Sequence, residues 1–278
     1  MTEEYTGPLL LAGCGKMGGA LLAGWLQQGR TGGDILVVDP AAARDGLPGG
    51  LTSGRVQVYP SAAALPAGLR PRVMVLAVKP QAMAGILPDY AGFAAAGTLA
   101  LSIAAGLPLA FFARHLGDRA AVVRAMPNTP AAVGRGMTVC CGNARVSGKG
   151  MEMALGLMSA VGDSAAIDDE SLMDAVTAVS GSGPAYVFLL AESLAAAGVR
   201  AGLPPQLAAQ LARATVAGAG ELARNSAEEL GQLRENVTSP GGTTAAALEV
   251  LMRQPDGLPA LLDAAVAAAT RRSRELAG

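Results

Sequence analysis

A chain of 278 residues, 51% of them hydrophobic, is long enough to bury a large core in one or two domains. The net charge is −1 and the 21 basic residues are scattered, which excludes a nucleic-acid footprint and leaves a small molecule as the expected partner. Three cysteines and one histidine, in no zinc-ligand spacing, exclude a Cys/His metal site and fit a reducing cytoplasm.

The first eight residues, MTEEYTGP, are acidic and lack the basic region and apolar core of a signal peptide. Residues 9–20, LLLAGCGKMGGA, then read as a buried strand, a glycine-rich turn and the start of a helix that runs to residue 28 and stops at Gly29. Gly13, Gly15 and Gly18 have the G-x-G-x-x-G spacing of a dinucleotide fingerprint. In it the first glycine makes a tight turn, the second lets backbone approach a pyrophosphate, and the third lets helix pack on strand. Cys14, Lys16 and Met17 lie within this turn, and the phosphates would sit on N–H groups at the helix N-terminus. Cys14 itself reads as a small loop filler rather than a reactive thiol. A second strand, residues 35–38, ends in Asp39, about twenty residues past the third glycine, where a ribose-binding carboxylate is expected.

Residues 40–72 carry little periodicity; a short helix and a strand near 56–59 are expected. Arg44 either reaches a 2′-phosphate or is a surface arginine. Residues 72–80, RVMVLAVKP, form a continuous apolar run, as in a strand covered on both faces. Its end, Ala77, Val78, Lys79 and Pro80, lies where open α/β sheets bind ligands, with Lys79 either facing the cofactor or solvated at a loop start. Residues 90–113 carry no charge and are long enough to span a bilayer, but Gly97, Ser102, Gly106 and Pro108 interrupt them. They read instead as a loop, a buried strand at 99–103, a turn and a helix start, and a soluble protein is expected. A helix at 108–116 carries His115 near its end, as a surface or capping residue. After the strand at 121–125, AMPNTPA makes a rigid, non-helical turn around Asn128, which either holds a nicotinamide ring or is a structural turn. Residues 137–141 form a further strand. Strands alternating with helices up to this point predict a doubly wound parallel sheet.

From residue 151 helical spacing dominates, with helices expected at 151–161, 171–179, 184–197, 204–225, 227–234, 243–252 and 258–276 and one short strand at 164–167. The predicted division is a dinucleotide-binding domain over 1–160 and a helical domain over 161–278. The helix at 204–225 is long and lined with small residues, which points to a dimer with interlocked helical domains. Two polar loops, SGSGP at 180–184 and TSPGGTT at 238–244, precede helices, and both are expected to bind anions such as a carboxylate. Residues 151–278 contain neither lysine nor histidine. A β-hydroxyacid dehydrogenase, which would need such an acid–base group, is disfavoured; hydride addition to an iminium needs little acid–base help.

Together GCGKMGGA, VLAVKP, AMPNTPA, SGSGPAY and above all ENVTSPGGTTAAAL resemble pyrroline-5-carboxylate reductase, in order and spacing, over almost the whole chain. The resemblance implies an α/β fold, with an N-terminal Rossmann-like domain followed by an all-helical dimerisation domain. It implies reduction of 1-pyrroline-5-carboxylate to L-proline by NADH or NADPH, the last step of proline synthesis. The substrate carboxylate would be held by the loop containing Ser239, Gly241, Gly242, Thr243 and Thr244, with Thr244 hydrogen-bonded to the ring nitrogen as the nearest thing to an acid. Gly13 to Gly18 and Ala77 to Pro80 match cofactor-binding positions, and Asn128 matches the turn beside the nicotinamide. Family members form interlocked homodimers that often assemble into decamers. Asp39 would repel a 2′-phosphate, so NADH is the expected cofactor. Reduction of a related cyclic imine, or NAD(P)H sensing without turnover, are the alternative readings.

Overall fold

The computed structural model describes residues 7–29, 33–51 and 53–277; the acidic residues 1–6 lie outside them. Among the described residues eight strands form one sheet. They are β1 (Leu9–Ala12), β2 (Ile35–Val38), β3 (Val56–Tyr59), β4 (Val73–Leu76), β5 (Leu99–Ser102), β6 (Val122–Met126), β7 (Gly136–Gly142) and β8 (Gly162–Ile167), in the order β3-β2-β1-β4-β5-β6-β7-β8. Strands β1 to β6 are parallel, as a continuous apolar pattern requires. Strand β7 departs from the expected parallel order and runs antiparallel to β6, with β8 then parallel to β7. The cause is chain length: residues 127–135 are too few for a crossover, so the chain turns back on itself.

Alternation along the strands divides the core between the two faces. Leu9, Leu11, Ile35, Val37, Val73 and Val75 pack under α1 (Lys16–Gln28) and, after α2 (Pro40–Asp45), α3 (Pro80–Ala95) and α4 (Leu109–Leu116), under α5 (Gly148–Met158). On the other face Leu10, Leu36, Met74 and Leu76 meet Met83 and Leu87 of α3 and Phe112 of α4. Two side-chain bonds fasten α1 down: Trp25 Nε1 donates to the Leu157 carbonyl at 2.8 Å, and Gln28 Nε2 to that of Ala160 at 3.1 Å. The uncharged stretch 90–113 is divided among the end of α3, β5 and the start of α4, as its glycines and proline foretell; the loop expected before residue 99 is instead the last turns of α3. The AMPNTPA turn is also more regular than expected, since Thr129–Val133 is a 3₁₀ helix.

Helices α6 (Met173–Val176), α7 (Gly183–Arg200), α8 (Pro205–Asn225), α9 (Leu230–Asn236), α10 (Thr243–Leu251) and α11 (Leu258–Ala277) follow, each close to an expected span. By contacts the chain forms two compact units, one of residues 1–181 with 270–278 and the other of 182–269. The division thus falls after Gly181 rather than after residue 160, because β8 extends the sheet. The last turns of α11 also belong to the first unit, where Ser273 Oγ donates to Asp174 Oδ1 at 2.6 Å. In the second unit α8 folds back along α7, with Ala208 and Ala212 buried. Phe188, Leu189, Leu190, Leu194 and Leu211 are exposed, and the two helices border a cleft of about 580 Å³. Such a large uncovered apolar surface is the mark of a partner interface.

Candidate active site

The glycine turn is built as the fingerprint demands, each glycine for its own reason. Gly13 has φ +92°, and a Cβ there would lie 2.8 Å from the Ala77 carbonyl oxygen and 2.9 Å from Val78 Cγ1. At Gly18 a Cβ would collide with the Gly13 carbonyl oxygen. Gly15 alone faces open space, with nothing within 4 Å of the added atom, so backbone there is free to meet a ligand. Gly15 is also the N-cap of α1 and supplies no side-chain acceptor, and the first turn, which contains Lys16 and Met17, has no acidic residue. Its N–H groups are therefore open to an anion. Lys16 is exposed and Met17 half-buried. Ala77 and Val78 border this turn, with Ala77 N–H donating to the Ala12 carbonyl at 2.7 Å; exposed Lys79 stands at the N-cap position of α3 without a side-chain bond, and Pro80 occupies its first turn. These residues fit a dinucleotide.

Asp39 carries more than a ribose contact would ask of it. Its Oδ1 accepts from the N–H groups of Ala41 and Ala42 at 2.8 and 3.0 Å, capping α2. Its Oδ2 accepts from the N–H of Cys14 at 2.7 Å. One carboxylate thus ties the end of β2 to the glycine turn, a role that a fingerprint match does not reveal. Burial, and then the Asp39 charge, push the Cys14 thiol up to about 11, which keeps it protonated at neutral pH. Arg44 pairs with Asp45 at 3.3 Å on the surface. His115 Nδ1 lies 2.8 Å from the Phe111 carbonyl, one turn back in α4.

The two polar loops differ. In the second unit, Gly241 has φ +69°, and Gly242 N–H donates to the Ser239 carbonyl at 3.0 Å, closing a tight turn onto α10. Gly242 caps that helix without a side chain, and Thr243 and Thr244 form its first turn, with no acid in it. Ser239 and Thr243 are exposed and Thr244 is half-buried. Thr238 donates its hydroxyl to the Arg234 carbonyl at 2.6 Å, whereas the hydroxyls of Ser239, Thr243 and Thr244 have no hydrogen-bond partner among the described residues. Three hydroxyls and uncapped N–H groups at a positive helix end are the kind of groups that suit an anion. The SGSGP loop, expected to do the same, is already helical. Thr177–Gly181 is a π-helical turn, Ser182 has helical φ and ψ, and Ser180 is bonded to Asn128. Ser182, the N-cap of α7, makes no side-chain bond, so the tie between Ser180 and Asn128 is what sets this loop apart.

Sequence reasoning passed over one further pair. Arg124 on β6 is 7% exposed and bonds Glu170 Oε1 at 3.0 Å; the same oxygen accepts from Leu109 N–H at 2.8 Å at the start of α4. A lone arginine inside a buried strand was the available signal.

Comparison with known proteins agrees with this geometry. Residues 170–276 match the family described as pyrroline-5-carboxylate reductase dimerisation. The pyrroline-5-carboxylate reductase of Pseudomonas aeruginosa is 42% identical over 265 residues, covering 95% of each chain. That of Synechocystis is 47% identical over 204 residues, covering 73% of this chain and 74% of the relative. Among solved structures, the reductase of Coxiella burnetii superposes with a TM-score of 0.90 at 32% identity, over 98% of this chain and 99% of the other. The Plasmodium falciparum enzyme, with NADP bound, gives 0.78 at 28%, over 99% and 100%. An open dinucleotide turn and the relatives' agreement along the whole chain lead to one conclusion: this chain belongs to the pyrroline-5-carboxylate reductase family of NAD(P)H-dependent oxidoreductases.

Proposed function

We infer that this chain reduces the C=N bond of 1-pyrroline-5-carboxylate to L-proline, with the glycine turn holding NAD(P)H and the loop at 238–244 holding the imine. The single observation that supports the residue roles is the set of hydroxyls on Ser239, Thr243 and Thr244, without partners among the described residues, at a helix start with no side-chain cap. When bound, NAD(P)H supplies the hydride. Lys16, Met17 and the other first-turn N–H groups of α1 bind its phosphates, while Ala77 to Pro80 and the turn at Asn128 border it. Ser239 and Thr243, with the N–H groups around Gly241 and Gly242, bind the carboxylate of the imine. Thr244 holds the ring nitrogen and its proton. No strong acid is required, because the protonated imine is already an electrophile and the amine product keeps that proton. The helical unit, which has neither lysine nor histidine, is consistent with such chemistry. Turnover of the wild-type enzyme with the imine, and a fall of roughly a hundredfold in kcat/KM for Thr244→Ala, about 3 kcal/mol of transition-state stabilisation, is the expected result. Unchanged turnover in the variant would remove Thr244 from the mechanism.

NADH is the preferred cofactor in this reading, since Asp39 follows β2 directly and its carboxylate would bring like charges together with a 2′-phosphate bound there. Two such charges at 4 Å cost about 1 kcal/mol in water and roughly 4 at a protein surface. Asp39→Ser keeps a capping oxygen for α2 and should move the NADH to NADPH ratio of kcat/KM by tens-fold toward NADPH.

The working form is a homodimer with interlocked helical domains, and dimers assembled into a decamer follow the family's habit. Glu170–Arg200 is also long and apolar enough to cross a membrane, a test that helices of soluble proteins pass as well. The dimerisation match covers that segment and gives its apolar side chains a protein partner. The buried free thiols of Cys14, Cys140 and Cys141 suit the cytoplasm. Mass measurement in solution of wild type beside Phe188→Glu tests the interface; a variant that keeps the wild-type mass would move it elsewhere.

A further inference from the structure

Asn128 stands at the turn between β6 and β7, and its side chain is committed inside the protein. Oδ1 accepts from the Met137 N–H at 2.8 Å, and Nδ2 lies 3.2 Å from both the carbonyl oxygen and Oγ of Ser180. The amide's donor and acceptor groups thus both serve neighbouring chain. Ser180 belongs to the π-helical turn Thr177–Gly181, a widened form of helix that recurs at functional sites. Gly181, the last residue of the first unit before the chain enters the second, is seated on the end of β6: a Cβ there would lie 2.6 Å from Met126 Cε. On its other side the π turn is held by Thr177 Oγ1, which donates to the Met173 carbonyl at 2.8 Å.

We propose that Asn128 is a positioning residue that clamps the π turn Thr177–Gly181 to the end of β6, fixing the cofactor-side turn and the chain's exit from the first unit as one piece. The proposal rests on the reductase reading above. Two ends of one reaction depend on this piece: the turn at residues 127–130 lies at a strand end, where open α/β sheets gather their ligands, and Ser182 begins the unit that carries the hydroxyl loop. Hydride transfer is sensitive to small misplacements, so loosening the clamp should slow the chemical step more than it weakens cofactor binding.

The test uses full-length oligomeric enzyme with Asn128→Ala, Ser180→Ala and the double variant, reading kcat, KM for the imine and the dissociation constant for NADH. Asn128→Ala is expected to lower kcat on the order of tenfold to a hundredfold with NADH affinity unchanged. Ser180→Ala should have a smaller effect in the same direction, because the carbonyl contact survives. The double variant should be no slower than Asn128→Ala alone, the non-additivity that marks two residues acting as a unit. Hydrogen exchange over residues 177–181 should rise in each. A parallel loss of NADH affinity would make Asn128 a cofactor ligand and overturn the proposal, as would additive effects in the double variant or an unchanged kcat. If Asn128→Ala does not fold, Ser180→Ala, which removes one oxygen, decides alone. Failure of the wild type to oxidise NADH or NADPH with the imine would instead strike the reductase reading, independently of the clamp.

Discussion

In the loop at 180–184 the oxygens of Ser180 are taken by Asn128, whereas in the loop at 238–244 the hydroxyls of Ser239, Thr243 and Thr244 have no partner among the described residues. Both segments combine serine, glycine and proline before a helix, and both looked like anion sites. What separates them is context. Both lead into helices without a side-chain cap, but the first is wound into a π turn and tied to Asn128, whereas the second turns at Gly241, with φ +69°. A polar, glycine-rich stretch before a helix is therefore only an offer of N–H groups and hydroxyls, and the surrounding fold decides whether a ligand or the protein takes it.

Mutations can break this contrast, beginning with the anchoring around the first loop. Glu170→Gln leaves Arg124 in β6 without its counter-charge and weakens the bond to Leu109 N–H. A loss of roughly 3 kcal/mol is expected, at the lower end for a buried pair because the Glu170 side chain is 29% exposed. Denaturant midpoints at one fixed protein concentration read it, and an unchanged midpoint would mean that the pair contributes nothing. Gly241→Ala comes next: an alanine at φ +69° costs about 1 to 2 kcal/mol, and the distorted turn should raise KM for the imine while leaving NADH affinity intact. Gly181→Ala is the mildest. The new methyl displaces only the flexible end of Met126, so about 1 kcal/mol or less is expected. A larger loss at Gly181 than at Gly241 would reverse the comparison.

Much of this was legible in residues alone. The strands were written as continuous apolar runs, since both sheet faces are covered by helices, and the glycine turn was written in its spacing. By residue type alone the loop at 238–244 was no different from the loop at 180–184; it stood out only through its resemblance to the family's motif. Other features were not legible, for definite physical reasons. The reversal of β7 depends on how short the 127–135 connection is in space, and β8 gained its place by pairing with β7 along Gly136–Gly142. Helix α3 carries Pro88 in its interior, which disguised the helix as a loop. The double service of Asp39 and the commitment of Asn128 are long-range bonds, invisible to any local pattern. The exposed face around Phe188 reads as core in sequence because apolar residues look the same whether the covering comes from one chain or two.

The path of α11 has a last consequence. Its residues 258–269 belong to the helical unit, and residues 270–277 return to the sheet-bearing unit, where Ser273 meets Asp174. Topologically the helical unit is an insertion, entered after Gly181 and left before Thr270, and not an appendage. Cutting the chain after residue 181 would therefore strip the dinucleotide-binding unit of a strap that it owns. A clean excision has to be internal, rejoining residue 181 to residue 270.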